Sequence, residues 1–139
     1  MLYYQTVPNA PQVGVLSNGN SQPAVFVQFT AVNTAAAVQI DHIVTAATVP
    51  AGYSVALLGL IMSNAVTAAV TANIQDTAGT PVVMGNFTLP ASATVYLPPT
   101  FLPLFVTTPG KGLDWNQTAG SSIVGLTAIW CLIQQIGQL

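Results

Sequence analysis

VALLGLIMSNAVTAAVTANI, residues Val55 to Ile74, is the stretch on which the fold turns. Roughly 20 residues is the length an α-helix needs to cross a bilayer, and the run is apolar enough to invite that reading. Ser63, Asn64, Thr67, Thr71 and Asn73 interrupt it, and its apolar content is Ala and Val more than Leu and Phe. No Lys or Arg flanks it to set an orientation. Periodicity decides the matter. Ala68, Val70, Ala72 and Ile74 share one parity and Ala69, Thr71, Asn73 and Gln75 the other, the mark of a half-buried strand. Tyr53 to Met62 is apolar on both parities, which predicts a strand covered on both faces. The second apolar run, Ile123 to Ile133, is too short to span and extends into Gln134 and Gln135. No membrane association is expected.

Working outward, the same alternation recurs at Ser92 to Leu97 and at Val25 to Ala31, where Val25, Val27, Phe29 and Ala31 fall together. Turn signals recur at Ser17-Asn18-Gly19-Asn20, Pro50-Ala51-Gly52, Thr77-Ala78-Gly79-Thr80-Pro81, Pro98-Pro99, Pro109-Gly110 and Ala119-Gly120. Strands are predicted near 24–32, 36–48, 53–63, 67–76, 81–88, 92–97, 101–107 and 121–133, with a short extended piece at 112–115. This is an all-β chain, and about eight antiparallel strands in this length predict a jelly-roll β-sandwich. An immunoglobulin-like sandwich is the neighbouring possibility, weakened because its paired cysteines cannot exist here. Residues 1–23 have another texture, with Pro8, Pro11 and Pro23 among Tyr, Gln and Asn. They predict an extended N-terminal arm ahead of a sandwich domain at 24–139. Its Leu2, Tyr3 and Tyr4 favour docking on a neighbouring surface over a solvated tail.

Charge is nearly absent. Asp41, Asp76, Asp114 and Lys111 are the four charged side chains of 139 residues, where a soluble domain carries about 25%. Dispersed proteins use charge to stay apart, so the composition predicts a chain that lives bound to other subunits. One Lys cannot neutralise a phosphate backbone, which excludes nucleic acid and disfavours anionic lipid. Cys131 is the lone cysteine, expected as a small buried hydrophobe. Met1 to Gln5 lacks a basic region of the secretory kind, so the sequons at Asn86 and Asn116 read as coincidence.

Catalytic residues are equally scarce. His42 is the only histidine; strand parity places it with Val38, Ile40 and Val44, on the more apolar side, and Asp41 opposite. Asp41 is thus badly placed to orient it in a triad. One His, one Cys and three Asp leave a zinc site almost without ligands; a calcium site from Asp76, Asp114 and loop carbonyls is conceivable. Three Asp in separate segments give no glycosidase pairing, and no phosphate-binding Gly-rich loop is present. The chain is expected to be no enzyme and to hold no cofactor or metal. Lys111 and Trp115 join Leu2, Tyr3 and Tyr4 as candidate interface residues. Trp115 with Asp114, Asn116 and Gln117 is the one cluster of a carbohydrate-binding kind.

Pro50-Ala51-Gly52-Tyr53-Ser54-Val55-Ala56-Leu57-Leu58-Gly59-Leu60, followed by Asn73-Ile74-Gln75-Asp76-Thr77-Ala78-Gly79, resembles the central hairpin of small bacteriophage jelly-roll proteins. Gly110 to Gly120, with its G-x-x-L-x-x-N turn, and the strand Ser121 to Trp130 are similar to their closing segment. The resemblance covers roughly residues 50 to 133, and its motifs are structural. It implies a decoration or cement protein of a phage head. Such proteins are homo-oligomers, with trimer favoured here over dimer, and bind across major capsid subunits. That would place the chain on the capsid surface of the virion after synthesis in the host cytoplasm. A carbohydrate- or receptor-binding jelly roll of a head or tail fibre is the alternative.

Overall fold

The computed structural model describes residues 2–3, 12–16, 21–24, 27–34, 40–65, 67–100, 102–120 and 123–134, the first three segments as backbone alone. Those three, β1 (Leu2–Tyr3), β2 (Gln12–Leu16) and β3 (Ser21–Ala24), pair antiparallel in the order β1-β2-β3. β1 and β2 fall within residues 1–23, expected as an extended arm, and β3 runs one residue past it to Ala24; the three form a small sheet where little strand was expected. Nine further strands follow: β4 (Val27–Asn33), β5 (Ile40–Val44), β6 (Tyr53–Asn64), β7 (Val70–Asp76), β8 (Val83–Leu89), β9 (Thr94–Leu97), β10 (Phe105–Val106), β11 (Leu113–Ala119) and β12 (Val124–Gln134). A single 3₁₀ turn at Ala46–Thr48 is the only helical piece among the described residues.

Two antiparallel sheets make a sandwich. Sheet I runs β10-β6-β12-β4, with β9 on the same edge of β6 as β10; sheet II runs β5-β11-β7-β8. β9 pairs with Leu60–Ser63 and β10 with Ala56–Leu57, so the two form one interrupted strand along β6. The interruption holds Pro98, Pro99 and Pro103, which have no N–H to give a ladder. Counting β9 and β10 as one, the strands nest: β4 with β12, β5 with β11, β6 with β9/β10, β7 with β8. First pairs with last and the pairing closes inward, as when one long hairpin is rolled up. That is the jelly-roll arrangement, and the all-β expectation holds.

Between the sheets lies one core, in which Val55, Leu57, Leu60, Met62, Ile74, Leu113, Trp115 and Leu126 are sealed from solvent. Two bulges shape it. Against β12, Gly59 faces Ile129 but Leu57 faces Trp130, so Leu58 is an extra residue in β6. Parity switches there, which sends Leu60 and Met62, but also Leu57 and Val55, into the core. Tyr53 to Met62 was expected to be covered on both faces. Ser54 to Leu57 is, whereas beyond Leu58 burial alternates, leaving Ile61 and Ser63 half-open. The doubled apolar parity thus partly encodes the bulge. In β5, Val44 faces Leu113 and His42 faces Asp114, so Ile43 is the extra residue.

Several element boundaries differ from expectation: the strand expected near 101–107 is only Phe105–Val106, and the one expected near 24–32 is Val27–Asn33, with Ala24 in β3. The strand expected over 36–48 is Ile40–Val44 followed by the 3₁₀ turn, and residues 35–39 lie outside the described part. The short piece expected at 112–115 is the full strand β11, central in sheet II. Its polar residues hid it, because Gln117 is buried and reaches the Gly120 carbonyl (2.9 Å) instead of solvent.

Candidate functional site

Sheet I presents an apolar outer face. In β4 the polar residues Gln28 and Thr30 point inward over Trp130, whose indole Nε1 donates to Thr30 Oγ1 at 2.9 Å. Val27, Phe29 and Ala31 point out, with Phe29 71% exposed. The parity expected to be the buried one is therefore the solvent-facing one. Thr30, on the inward parity, supplies an acceptor to this indole, whereas the buried Trp115 Nε1 has none among the described residues. Across the sheet the register sets Ala31 beside Thr127, Thr127 beside Ile61 and Ile61 beside Tyr96. Tyr96 is exposed as well. One row on, Asn33, Gly125 and Ser63 are aligned. Because Gly125 has no side chain, a depression of about 250 Å³ opens there, walled by Ala31, Asn33, Ile61, Ser63 and Thr127. No charged residue lies in β4, β6, β9 or β12.

Sheet II is more polar. Its outward positions carry Asn73 and Gln75 on β7, Asp114, Asn116 and Thr118 on β11, and Asn86 and Thr88 on β8, with the exposed Ile40 and His42 on β5. Asn116 Nδ2 donates to Gln75 Oε1 at 3.1 Å, and the Thr118 hydroxyl to the Thr71 carbonyl at 3.2 Å. His42 Nδ1 lies 2.7 Å from Asp114 Oδ1, the one ion pair among the described residues when the ring is protonated. His42 was expected on the apolar side with Ile40 and Val44. Its side chain is 58% exposed, because the bulge at Ile43 separates it from Val44. Its carboxylate partner is the cross-strand Asp114, invisible to any reading of sequence neighbours.

A third feature fastens one end of the sandwich. Asp76 ends β7 fully buried. Its Oδ1 accepts from the amides of Ala78 (3.1 Å) and Val82 (3.0 Å), and its Oδ2 from the Thr108 amide (3.1 Å) and hydroxyl (2.6 Å). Burial pushes this carboxyl's pKa up, but the Thr108 hydroxyl and the amides of Val82, Thr108 and Ala78 outweigh it and hold it below the usual carboxylate value. The next residue continues the tie: Gly112 N donates to Thr77 Oγ1 at 2.9 Å, and the Thr107 hydroxyl bridges Val55 N and the Lys111 carbonyl. The loop after β10 is thereby bonded to β6 and to the β7–β8 turn.

All four contacts to Asp76 are donors, so it is a turn anchor and not a cation ligand. Asp114 faces Gln75 across the ladder, one position from Asp76, and so lies on the other side of the sheet. The conceivable calcium pairing of these two is thus corrected. Among the described residues, no three of His, Cys, Asp and Glu cluster as metal ligands, and no helix is long and apolar enough to cross a membrane.

Of the candidate interface residues, Leu2 and Tyr3 fall in β1, where only backbone is described, and Tyr4 lies outside the described residues. Lys111 is half-buried in the anchored loop and makes no ion pair among the described residues. Trp115 is fully buried between the sheets, on the inward parity with Leu113 and Gln117. It offers no surface to a sugar or a neighbour, which corrects its place as an interface residue. Cys131 is buried as expected, and desolvation raises its thiol pKa.

No protein-family model and no curated protein matches this chain. Among solved structures, it is similar to a chain in the structure of infectious bursal disease virus Gt strain, at 10% identity and a TM-score of 0.25. The match covers 92% of this chain and 49% of that one, so this chain spans about half its length. A likeness that weak establishes neither family nor function.

Proposed function

We propose that this chain is a virion structural protein, a decoration or cement protein that binds across major capsid subunits and stabilises a phage head. The observation that supports the reading is the spread of exposed apolar side chains over an almost chargeless molecule. Phe29 and Tyr96 lie on one sheet face, Leu102 (80% exposed) in the loop after β9, Val82 and Val83 before and at the start of β8, and Ile123 before β12. A free domain compensates such surface with charge. A subunit fitted among others covers it on several sides instead. Jelly rolls serve capsids, lectins and cupins alike, so the fold agrees without deciding.

On this reading the arm residues Leu2, Tyr3 and Tyr4 and the loop at Lys111 contribute shell contacts, and the protein acts by apolar burial with no catalytic step. Neither nucleic acid nor membrane is a partner. The carbohydrate-binding alternative loses its aromatic platform with Trp115 in the core. Virus particles stripped of the protein by mild denaturant should rebind the purified chain and regain resistance to heat. The chain lacking residues 1–20 should rebind more weakly. Heads that are equally heat-resistant with and without the full chain would overturn the proposal.

A further inference from the structure

We infer that the outer face of sheet I pairs with the same face of a second copy, Phe29 of each copy seating in the depression floored by Gly125 of the other. The orientation of β4 is the first argument. Antiparallel sheets with one free face normally put apolar residues inward and polar ones out. Here Gln28 and Thr30 point in, while Val27 and Phe29 point out and are exposed. The face is shaped for covering.

Charge names the occupant. None of the four charged residues lies in the strands of this face. A partner of ordinary composition would have to strand its own charges against a surface with nothing to pair them, at a desolvation cost. A second copy brings none. The two chains, each of net charge −2, also keep Asp41, Asp76 and Asp114 on sheet II, away from the contact.

Shape sets the symmetry. Phe29 and Asn33, at the depression's wall, sit on the same strand and parity, about 13 Å apart by strand rise. A projecting ring and a hole side by side on one flat face can both be satisfied by a copy only through a two-fold rotation. The depression offers about 250 Å³, is open to solvent, and is walled by Asn33, Ser63 and Thr127 as well as by Ala31 and Ile61, so a ring seated there would rest on the two apolar walls. Outward-facing Ile129, Cys131 and Ala56 are already covered, so the open part is the rows of Ala31 and Asn33 with Val27 and Phe29 at the β4 edge, a patch of a few hundred Å² at most. That is below the about 800 Å² per partner of a standard interface. The pair is accordingly weak and reversible, and it is two-fold, not the trimer that the phage resemblance implies. It does not depend on the virion assignment.

Sedimentation equilibrium of the full chain over about 10 µM to 1 mM, the range suited to so small an interface, reads the pairing directly. The wild-type chain should shift from monomer to dimer across it. Phe29→Ser should weaken the dimer about tenfold or more, as loss of a central aromatic does. Gly125→Val puts bulk into the depression from a position where the added Cβ meets nothing closer than Asn33 Oδ1 at 3.6 Å. It should abolish the dimer while leaving the circular dichroism spectrum and Tm unchanged. A wild-type chain that stays monomeric throughout, or a dimer that survives both substitutions, overturns the inference. So does a monomer whose attachment to particles fails in Phe29→Ser, since a shell subunit would then own the face.

Discussion

Asp76 stays ionised in a place where burial alone would favour its neutral form, because four donors from two separate loops converge on it. Its pKa is lower folded than unfolded, so the unfolded chain binds the extra proton as pH falls. The stabilisation is therefore complete above the unfolded carboxylate value of about 3.9 and drains away as pH drops through the lower folded value. Asp76→Asn should cost about 2–4 kcal/mol at neutral pH, since an amide presents its own donors to the Ala78, Val82 or Thr108 donors. It should also flatten the acid limb. Urea unfolding of both proteins between about pH 2 and 6 checks this: the gap between them should narrow toward the acid end. A gap that stays constant would mean that Asp76 carries no pH-linked stability. Such an anchor is hard to read in a sequence. Asp76 can be placed at a turn from Thr77-Ala78-Gly79, but Thr108 is 32 residues away and joins it only once β10 has crossed to β6.

β6 is the element on which most of the sandwich depends, since it pairs with β12, β9 and β10. Its bulge at Leu58 keeps Val55 and Leu57 facing the core below it while Leu60 and Met62 face the core above. Deleting Leu58 would remove the extra residue and turn Val55 and Leu57 to the outer face, since a one-residue slip reverses a strand. Each displaced side chain costs about 2–5 kcal/mol, and together they approach the whole stability of a small domain, about 5–15 kcal/mol. The deletion variant should lose its cooperative thermal transition, whereas Leu58→Ala, at a half-buried position, should melt only a few degrees lower. A deletion variant that melts beside the wild type would show that the bulge does not set the register. Alternation at 68–75 and 92–97 made the strands legible, but it shows which residues share a face and not which face turns inward. In β4 that choice went against hydrophobicity and set Thr30 against the Trp130 indole. In β11 the core residue Gln117 broke the apolar pattern and concealed a central strand. The apolar outer face of sheet I was therefore written in the sequence as an alternation and could be assigned only from the register with β12.

At the scale of the whole molecule, what remains is a surface that has apolar area to bury and almost no charge with which to do anything else. The shell contacts proposed for it must then draw on burial, at about 25 cal/mol per Å² before the costs of association. Repetition over a symmetric shell multiplies such weak contacts by avidity. This has a consequence in salt. Contacts between exposed charges fade as the Debye length falls from about 10 Å at 0.1 M to about 3 Å at 1 M, whereas apolar burial is strengthened by excluded salts such as sulfate. Binding of the chain to stripped particles should change by less than about threefold between 0.1 and 1 M sodium chloride and should tighten in sodium sulfate. It should weaken on cooling, because the hydrophobic contribution falls with temperature. Loss of binding by tenfold or more on adding sodium chloride would point to ion pairs, for which this chain has only three Asp, one Lys and, when protonated, one His. The shell would then have to be gripping Lys111 or the Asp114–His42 edge of sheet II, and the apolar surface would need another explanation.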